Sequence, residues 1–232
     1  ECHGLTPDEP VRYQSQRHPA YQAAIDRLLA DSKAYYCRCS RKQLKANHGY
    51  HPAHCRQGET APGEAPCAVR FALHDEHSRW HDELLGWQEQ TVQAELDDPV
   101  LLRKEGFFAY QLAVVVDDIH QGITHVVRGS DLLPMTAQQQ QIFRALGAQL
   151  PHWLHIPVLL NENGQKLSKQ THAPALDDNR PCANLVAALD ALGQQPPASL
   201  ARGTTADVLD WAHAHWQRQH IPQTSRHHAN DF

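Results

Sequence analysis

The sequence lacks the features of a membrane protein, a secreted precursor or a nucleic-acid-coating protein. It contains no run of about 18 apolar residues, the length that a membrane-spanning helix needs. Its first residues, ECHGLTPDEPVRY, include no methionine, no basic segment and no apolar segment, so they are not expected to be a signal peptide. The net charge of -5 gives no overall basic surface for nucleic acid, although a local basic cleft remains compatible with it.

The sequence also lacks internal repeats and low-complexity segments, and its composition is that of a globular protein. With 232 residues it can bury a sizeable core in one large or two small domains. Hydrophobic residues make up 41% and charged residues 20%, which are ordinary values for a soluble domain. The 18 histidines are mostly isolated in polar stretches, where a solvated histidine is more common than a metal ligand.

Hydrophobic spacing and turn residues predict helices and strands that alternate in the second half of the chain. Apolar residues at helical spacing after Pro19 predict a first helix, and residues 74–96 are predicted to form a hairpin. The segments 123–133 and 155–164 have the β-branched or apolar content of buried strands. The apolar run 107–118 favours neither helix nor strand by its period.

A capping-box pattern marks the start of one further helix. Thr136 and Gln139 have the spacing of a capping box, and Gly147 is the predicted end of that helix. Helices are also predicted in the residues that follow position 170. The alternation of helix and strand is typical of an α/β protein with a parallel sheet.

Three cysteines that lie close together in the sequence are candidate metal ligands. Cys37 and Cys39 are one residue apart, and Cys55 follows after 15 residues. Reduced thiols at such spacing are more often metal ligands than disulfide partners in a cytosolic protein, and a structural zinc needs one further donor. The candidates for that donor are His48, Tyr50, His51 and His54. The C-x-C spacing is narrower than in common zinc motifs, so three unrelated reduced cysteines remain the alternative.

Two lysines, Lys166 and Lys169, lie just after the last predicted strand, in the segment NENGQKLSKQ. Loops at the carboxyl ends of strands line the crevice where α/β sheets bind ligands. Two cations there could neutralise the charge that develops on a triphosphate when it is attacked. For any isolated K-x-x-K segment, a solvated basic turn is the ordinary interpretation.

The segments GFFAYQLAVVVDDIHQGITHVVRGSDLL and HIPVLLNENGQKLSKQ together resemble the second half of the catalytic domain of class I glutamyl-type aminoacyl-tRNA synthetases. In that family, K-[ML]-S-K is the ATP loop. The resemblance runs from about YQSQRHPAY to KLSKQTHAPAL and includes too many ordered motifs for a chance similarity. It implies a partial, Rossmann-like α/β catalytic domain with a zinc-bearing insertion and a helical C-terminal segment.

Three features of this sequence are similar to those of the short members of this family, which attach glutamate to queuosine in the anticodon of tRNA(Asp). The lysine loop is KLSKQ followed by HAPAL, the cysteines keep their order, and too few residues follow position 170 for the anticodon-binding domains of longer enzymes. The implied substrates are ATP, L-glutamate and tRNA(Asp) bearing queuosine, and we expect a cytoplasmic monomer that does not bind membranes. Two alternatives stay open: a fragment of a discriminating glutamyl-tRNA synthetase, and an inactive, zinc-bearing tRNA-binding relic.

The resemblance also implies roles for single residues. Tyr110 and Arg128 match glutamate-binding positions, and a guanidinium can hold a carboxylate bidentately while a tyrosine hydroxyl bonds the same ligand. Lys169 matches the ATP-contacting lysine, and Lys166 is the second expected catalytic cation. Without the resemblance, a tyrosine at the edge of the core and a surface ion pair would be the ordinary interpretations.

The family's zinc pattern, C-x-C followed by Y-x-x-x-C, can be placed on this sequence. It assigns the metal to Cys37, Cys39 and Cys55, and its tyrosine position is occupied by His51, with Tyr50 one residue earlier. Imidazole is a better zinc ligand than phenol, so His51 is the predicted fourth ligand. The choice between His51 and Tyr50 stays open.

The resemblance divides the chain into four segments. Residues 1–36 are expected to belong to the catalytic α/β domain, 37–105 to a zinc-binding insertion with the hairpin, 106–170 to the second catalytic half, and 171–232 to the helical segment. The family's HIGH-type motif, which binds adenine and the α-phosphate, has no counterpart here, since CHGL and NHGY fit neither its pattern nor its position. The chain is therefore expected to begin after that motif and, by itself, to show no pyrophosphate exchange.

Overall fold

Helices and strands alternate along the chain in the computed structural model. The residues that the structure describes are 2–40, 42–43, 53–56, 63, 66–92, 97–168, 173, 175–224 and 226–227. The helices are α1 (His18–Ala30), α2 (Ala53–Arg56), α3 (Tyr110–Gln121), α4 (Thr136–Ala145), α5 (Pro181–Ala191) and α6 (Thr205–His215). The strands are β1 (Ala34–Cys37), β2 (Ala68–Phe71), β3 (His77–Asp82), β4 (Gly86–Thr91), β5 (Val100–Leu102), β6 (His125–Gly129), β7 (His152–Ile156), β8 (Leu159–Leu160) and β9 (Arg226–His227).

The strands of the described residues form three sheets. The order β1-β2-β5 gives an antiparallel sheet, and β8 pairs with β9 in a short parallel one. The sheet that carries the candidate site has the order β4-β3-β7-β6, in which β3 and β4 form the predicted hairpin and β6 and β7 run parallel. Helix α4 connects β6 to β7, so the predicted α/β alternation is present here, although the sheet is mixed because β4 is antiparallel to β3.

The hairpin joins the strand pair β6–β7 where the end of β3 pairs with β7 at one residue position. Asp82, the last residue of β3, pairs with Trp153 of β7 in a parallel arrangement. Side chains of residues two apart on a strand share a face, so Asp82 and His155 point to the same side of this sheet. On the neighbouring strand β6, Arg128 is paired with His155, so its side chain lies on that side of the sheet as well.

The main core lies between two helices and the strands beside them. On α1, Tyr21, Ile25 and Leu28 follow helical spacing and are at most 1% exposed. On α3, Leu112 and Val115 are fully buried in the same cluster. The apolar run 107–118, whose period favoured neither helix nor strand, is therefore helical from Tyr110 onward, and the inner face of α3 completes the core.

Three predictions about elements need correction or detail. Segment 123–133 does contain a strand, β6, but it is not buried, since Val127 is 63% exposed. The helix α4 does begin at Thr136, yet the predicted capping box with Gln139 is not formed. The segment 155–164 holds the end of β7 and the short β8, and Pro157, which has no backbone N–H, lies between them.

The residues after position 170 agree with the prediction of helices. Helices α5 and α6 lie there and pack against each other. Within the described ranges, no helix combines the length and the apolar character that crossing a bilayer requires.

Candidate functional site

Arg128 is held at the carboxyl end of β6 by four hydrogen bonds to protein groups. Its Nε donates to Nε2 of His155 at 3.0 Å, and its Nη1 donates to Oε1 of Gln139 at 2.5 Å. Its Nη2 donates to the Thr136 hydroxyl at 2.9 Å and to the Leu132 carbonyl at 3.3 Å. Within the described part of the chain, four of the five guanidinium N–H groups are therefore committed. The predicted capping box is absent because Thr136 is itself the first helical residue, with Met135 at the N-cap position, and the side chains of Thr136 and Gln139 bind Arg128.

Tyr110 and Arg128, the two residues predicted to bind glutamate, lie together. Tyr110 is the first residue of α3 and is 48% exposed, and its hydroxyl interacts with the guanidinium. Burial lowers the pKa of Arg128, and the interactions with Tyr110, Asp118 and Asp131 offset only part of this effect. An anionic group that entered from the Tyr110 side would meet a partly desolvated cation and a hydroxyl. A carboxylate could bind there through the remaining N–H of Arg128 and the Tyr110 hydroxyl, with one guanidinium bond in place of the bidentate pair that the sequence predicts.

Behind Arg128 lies a buried, hydrogen-bonded aspartate–histidine pair that the sequence analysis did not identify. Nδ1 of His155 lies 2.6 Å from Oδ2 of Asp82, and both side chains are 0% exposed. Oδ1 of Asp82 also accepts backbone N–H bonds from Leu84, Leu85 and His155 at 2.9–3.3 Å. Burial opposes the charged form of Asp82, but these hydrogen bonds outweigh it, so the pKa of Asp82 is lowered. The carboxylate is therefore a fixed hydrogen-bond acceptor.

A chain of glutamine amides orients Gln139 toward Arg128. Nε2 of Gln139 donates to Gln111 at 2.8 Å, Nε2 of Gln111 donates to Gln138 at 2.9 Å, and Gln138 donates to the Asp97 carbonyl at 3.0 Å. Because each amide donates to the next, Oε1 of Gln139 must face the guanidinium. The helices α3 and α4 are thereby tied to the position of Arg128.

The lysine loop returns to the same edge of the sheet. A tight turn precedes it, in which Asn161 Oδ1 accepts the backbone N–H groups of Asn163 and Gln165. Lys166 then donates from Nζ to Oδ2 of Asp131 at 2.5 Å, and Asp131 follows β6 by two residues. Lys166 thus lies beside the strand end that carries Arg128, whereas Lys169 lies outside the described residues.

The three predicted cysteine ligands are brought together. The sulfur atoms of Cys37, Cys39 and Cys55 all lie within 4.8 Å of one another, and those of Cys39 and Cys55 are 3.3 Å apart, so none is joined in a disulfide. Thiolates around a tetrahedral zinc, each about 2.3 Å from the metal, lie about 3.8 Å apart, a spacing close to this one. The candidate fourth ligands His51 and Tyr50, and also His48, lie outside the described residues, as does the side chain of His54.

Buried polar contacts hold the two halves of the cysteine cluster. Cys37 ends β1 and Cys55 lies on α2, and both are at most 2% exposed. The carboxylate of Asp98 binds both elements, because it accepts from the hydroxyl of Tyr35 on β1 at 2.6 Å and from Arg56 Nε on α2 at 2.7 Å. Burial, together with the other two thiols, raises the pKa of Cys55 to about 12. A divalent cation would supply the positive charge that three adjacent thiolates require, so the donor set fits zinc.

A carboxyl group near Arg128 gives a prediction for the pH dependence of stability. Burial raises the pKa of Asp118 to about 6, with the nearby Asp117 adding to the shift and Arg128 opposing it. Between about pH 4 and pH 6 the folded protein therefore binds more protons than the unfolded chain, and stability falls as the pH rises through this window. Asp118→Asn is expected to raise the free energy of unfolding at pH 7.5 by about 1–2 kcal/mol, after allowance for partial solvent access, and by about one third of that amount at pH 4.5.

Urea unfolding at the two pH values tests this expectation. Asp210→Asn, a change at an exposed aspartate of α6, is the matched control and should leave the difference between the two pH values as in the wild type. An Asp118→Asn variant with the same stability as the wild type at pH 7.5 would contradict the assignment of the buried carboxyl.

Comparisons with known proteins identify the relatives of this chain. The sequence model of a family described as tRNA synthetases class I (E and Q), catalytic domain, matches residues 1–197. A protein of Pseudomonas aeruginosa (strain LESB58) named glutamyl-Q tRNA(Asp) synthetase is 42% identical over 223 residues, which are 96% of this chain and 75% of that protein. A protein of the same name from Thiobacillus denitrificans is 44% identical over 228 residues, with the same coverage of 96% and 75%.

A solved structure shows the same fold. The crystal structure of glutamate-tRNA synthetase from Elizabethkingia anophelis superposes with a TM-score of 0.74 at 20% sequence identity, over 98% of this chain and 56% of that one. The chain thus spans little more than half the length of that enzyme, and its mixed α/β sheets have the fold of a class I synthetase catalytic domain. From the family match and the relatives above 40% identity, the chain belongs to the class I glutamyl- and glutaminyl-tRNA synthetase family, in the group of proteins named glutamyl-Q tRNA(Asp) synthetase.

Proposed function

We propose that this protein activates L-glutamate with ATP and transfers it to queuosine in the anticodon of tRNA(Asp). The observation that carries the proposal is the pairing of Arg128 with Tyr110 at the open end of a parallel strand pair. Carboxylate binding by a partly buried guanidinium is the chemistry that glutamate recognition needs. The choice of queuosine-bearing tRNA(Asp) is supported by the names of the relatives, and a cytoplasmic, monomeric protein remains our prediction.

In this proposal the reaction is the attack of the glutamate α-carboxylate on the α-phosphate of ATP. The bond from the α-phosphorus to the bridging oxygen breaks, pyrophosphate leaves, and glutamyl-adenylate forms. Lys166, which the structure places beside Asp131, and Lys169 of the same loop would stabilise the charge on the departing pyrophosphate. The support for this role is the position of the loop at the strand ends, where α/β sheets bind nucleotides.

The cysteine cluster has a structural role in this proposal. Cys37, Cys39 and Cys55 would hold one zinc, with His51 or Tyr50 as the fourth ligand. A zinc with four protein ligands has no open position for a substrate, so it supplies a cross-link between β1 and α2 and takes no part in catalysis.

The site of glutamate attachment tests the proposal against its alternatives. The protein as its gene encodes it is incubated with ATP, labelled glutamate and either tRNA(Asp) that carries queuosine or an unmodified tRNA(Asp) transcript. After digestion to nucleosides, mass spectrometry locates the label. We expect the label on the anticodon nucleoside of the queuosine-bearing tRNA. On the unmodified transcript we expect no label, either in the anticodon or on the 3′-terminal adenosine.

The other outcomes favour the other hypotheses. Label on the 3′-terminal adenosine would contradict the proposal and indicate a discriminating glutamyl-tRNA synthetase. Binding of tRNA without any glutamate-dependent pyrophosphate exchange would also contradict it and would indicate an inactive tRNA-binding relic. Exchange is measured separately from transfer, so that a failure of activation is distinguished from a failure to recognise the tRNA.

A further inference from the structure

We propose that Asp82 and His155 are positioning residues for glutamate: together they fix the orientation of Arg128 and the direction of its hydrogen bonds. This inference rests on the proposed function, since it concerns how the glutamate-binding arginine is held. Neither residue faces the open side of the site, because both side chains are fully buried. They would act through Arg128 and without touching the substrate.

The directions of the hydrogen bonds allow one arrangement. Nε of an arginine can only donate, so Nε2 of His155, which lies 3.0 Å from Nε of Arg128, must accept. The imidazole then carries its proton on Nδ1 and donates it to Asp82 Oδ2, 2.6 Å away. The Asp82 carboxylate therefore selects the histidine tautomer that can receive Arg128.

The chain of contacts runs from a rigid point to the substrate side. Asp82 ends β3 and is fixed at its turn by the backbone N–H groups of Leu84 and Leu85. His155 lies on β7, one strand away, and Arg128 lies on β6, the next strand. Because the guanidinium is planar, the hydrogen bond from Nε to His155 fixes the orientation of the whole group. A side chain held in this way loses little conformational entropy when it binds a ligand.

A single isosteric substitution would reverse this pattern. In Asp82→Asn, the amide oxygen can keep the backbone N–H bonds, which turns the Nδ2 donor toward Nδ1 of His155. The imidazole must then carry its proton on Nε2, where it meets the Nε–H of Arg128, donor against donor. The guanidinium has to move away, and a displacement of about 1 Å of a positioned group can reduce a rate by about a hundredfold.

An aspartate–histidine pair with a purely structural role would behave differently. Its loss would lower stability without a specific effect on glutamate. Asp98 provides the matched control, because it is 1% exposed and binds Tyr35, Arg56 and the backbone of Leu73, and none of these groups contacts Arg128. Asp98→Asn therefore removes a comparable buried carboxylate that lies outside the sheet of β3, β7 and β6.

The experiment measures glutamate-dependent ATP–pyrophosphate exchange for the protein as its gene encodes it, with urea unfolding of each variant. We expect Asp82→Asn to raise KM for glutamate or lower kcat by about tenfold to a hundredfold, with KM for ATP changed less than about twofold. Asp98→Asn should lose stability but keep KM for glutamate within about twofold. His155→Gln, whose amide can donate to Asp82 and accept from Arg128, should lose less activity than His155→Leu.

A spectroscopic measurement keeps the proposal testable if a variant fails to fold. The ¹⁵N resonances of the His155 ring, assigned by their loss in His155→Gln, should show a proton on Nδ1 in the wild type and on Nε2 in Asp82→Asn. An Nε2-protonated ring in the wild type would overturn the proposal.

The outcomes separate this inference from the proposed function. If wild-type protein shows no glutamate-dependent exchange, the proposed function fails. If Arg128→Ala impairs exchange but a folded Asp82→Asn variant keeps the wild-type kinetics for glutamate, the positioning role alone is wrong.

Discussion

Replacement of Arg128 by alanine is expected to reduce kcat/KM for glutamate in pyrophosphate exchange by about 30-fold to about 5,000-fold. The loss of a charged hydrogen-bond partner from a buried site costs about 2–5 kcal/mol, because the substrate carboxylate is left unpaired, and each 1.4 kcal/mol is about tenfold. The guanidinium suits this role because burial disfavours its charge, as the lowered pKa of Arg128 indicates, so an incoming anion relieves a desolvated cation.

Three further variants define what the arginine contributes. Arg128→Lys keeps the charge but cannot reproduce the fork that binds His155, Gln139 and Thr136, so it should recover only part of the activity. Tyr110→Phe removes a neutral hydrogen bond and should cost about 0.5–1.5 kcal/mol, at most about tenfold. Arg79→Ala is the matched control, since Arg79 is exposed and lies over the Trp87 ring at 4.5 Å. Unchanged exchange in Arg128→Ala would rule out the glutamate assignment.

Of the candidate site, only the residues that a family motif carries could be named from the sequence, and their role in binding glutamate stays a prediction. Tyr110 and Arg128 lie within one continuous stretch that resembles the synthetase family, and the structure places them together at the start of α3 and the end of β6. Asp82 and His155 are 73 residues apart, and their contact depends on the register that pairs Asp82 with Trp153. Neither stands out in a sequence with 18 histidines and 26 acidic residues, so no local signal could have identified the pair.

The local capping rule failed because the helix begins one residue earlier than its pattern predicts, with Met135 at the N-cap position. Thr136 and Gln139 have the spacing of a capping box, but Thr136 is already helical; its hydroxyl and the amide oxygen of Gln139 accept from the guanidinium of Arg128. Arginine offers charged donors, and a charged hydrogen bond is worth more than a neutral cap. The hairpin of β3 and β4 was predicted from its turn and strand residues, yet its place beside β7 follows from tertiary pairing that the sequence pattern does not encode.

Substitution of Cys55 by alanine is expected to remove bound zinc and to lower the free energy of unfolding by several kcal/mol. Cys55 is 2% exposed, and its sulfur atom lies within 4.8 Å of those of Cys37 and Cys39. Structural zinc binds zinc-finger peptides with about 10–16 kcal/mol at pH 7, and this binding free energy stabilises the folded state. Loss of one thiolate from four ligands should forfeit a large part of it. Elemental analysis and urea unfolding measure the two effects.

Chelation distinguishes a lost metal from a lost side chain. Wild-type protein treated with a strong zinc chelator should become nearly as unstable as Cys55→Ala, and the chelator should not affect the variant further, because both then lack the same cross-link between β1 and α2. Cys182→Ser is the matched control: that thiol lies outside the cluster, donates to the Gly203 carbonyl at 3.3 Å, and should leave about one zinc per chain. His51→Ala and Tyr50→Phe then identify the fourth ligand, since only the change at the true ligand should weaken zinc retention. Wild-type protein with well under one zinc per chain, and with a stability that the chelator leaves unchanged, would show that the three thiols hold no metal.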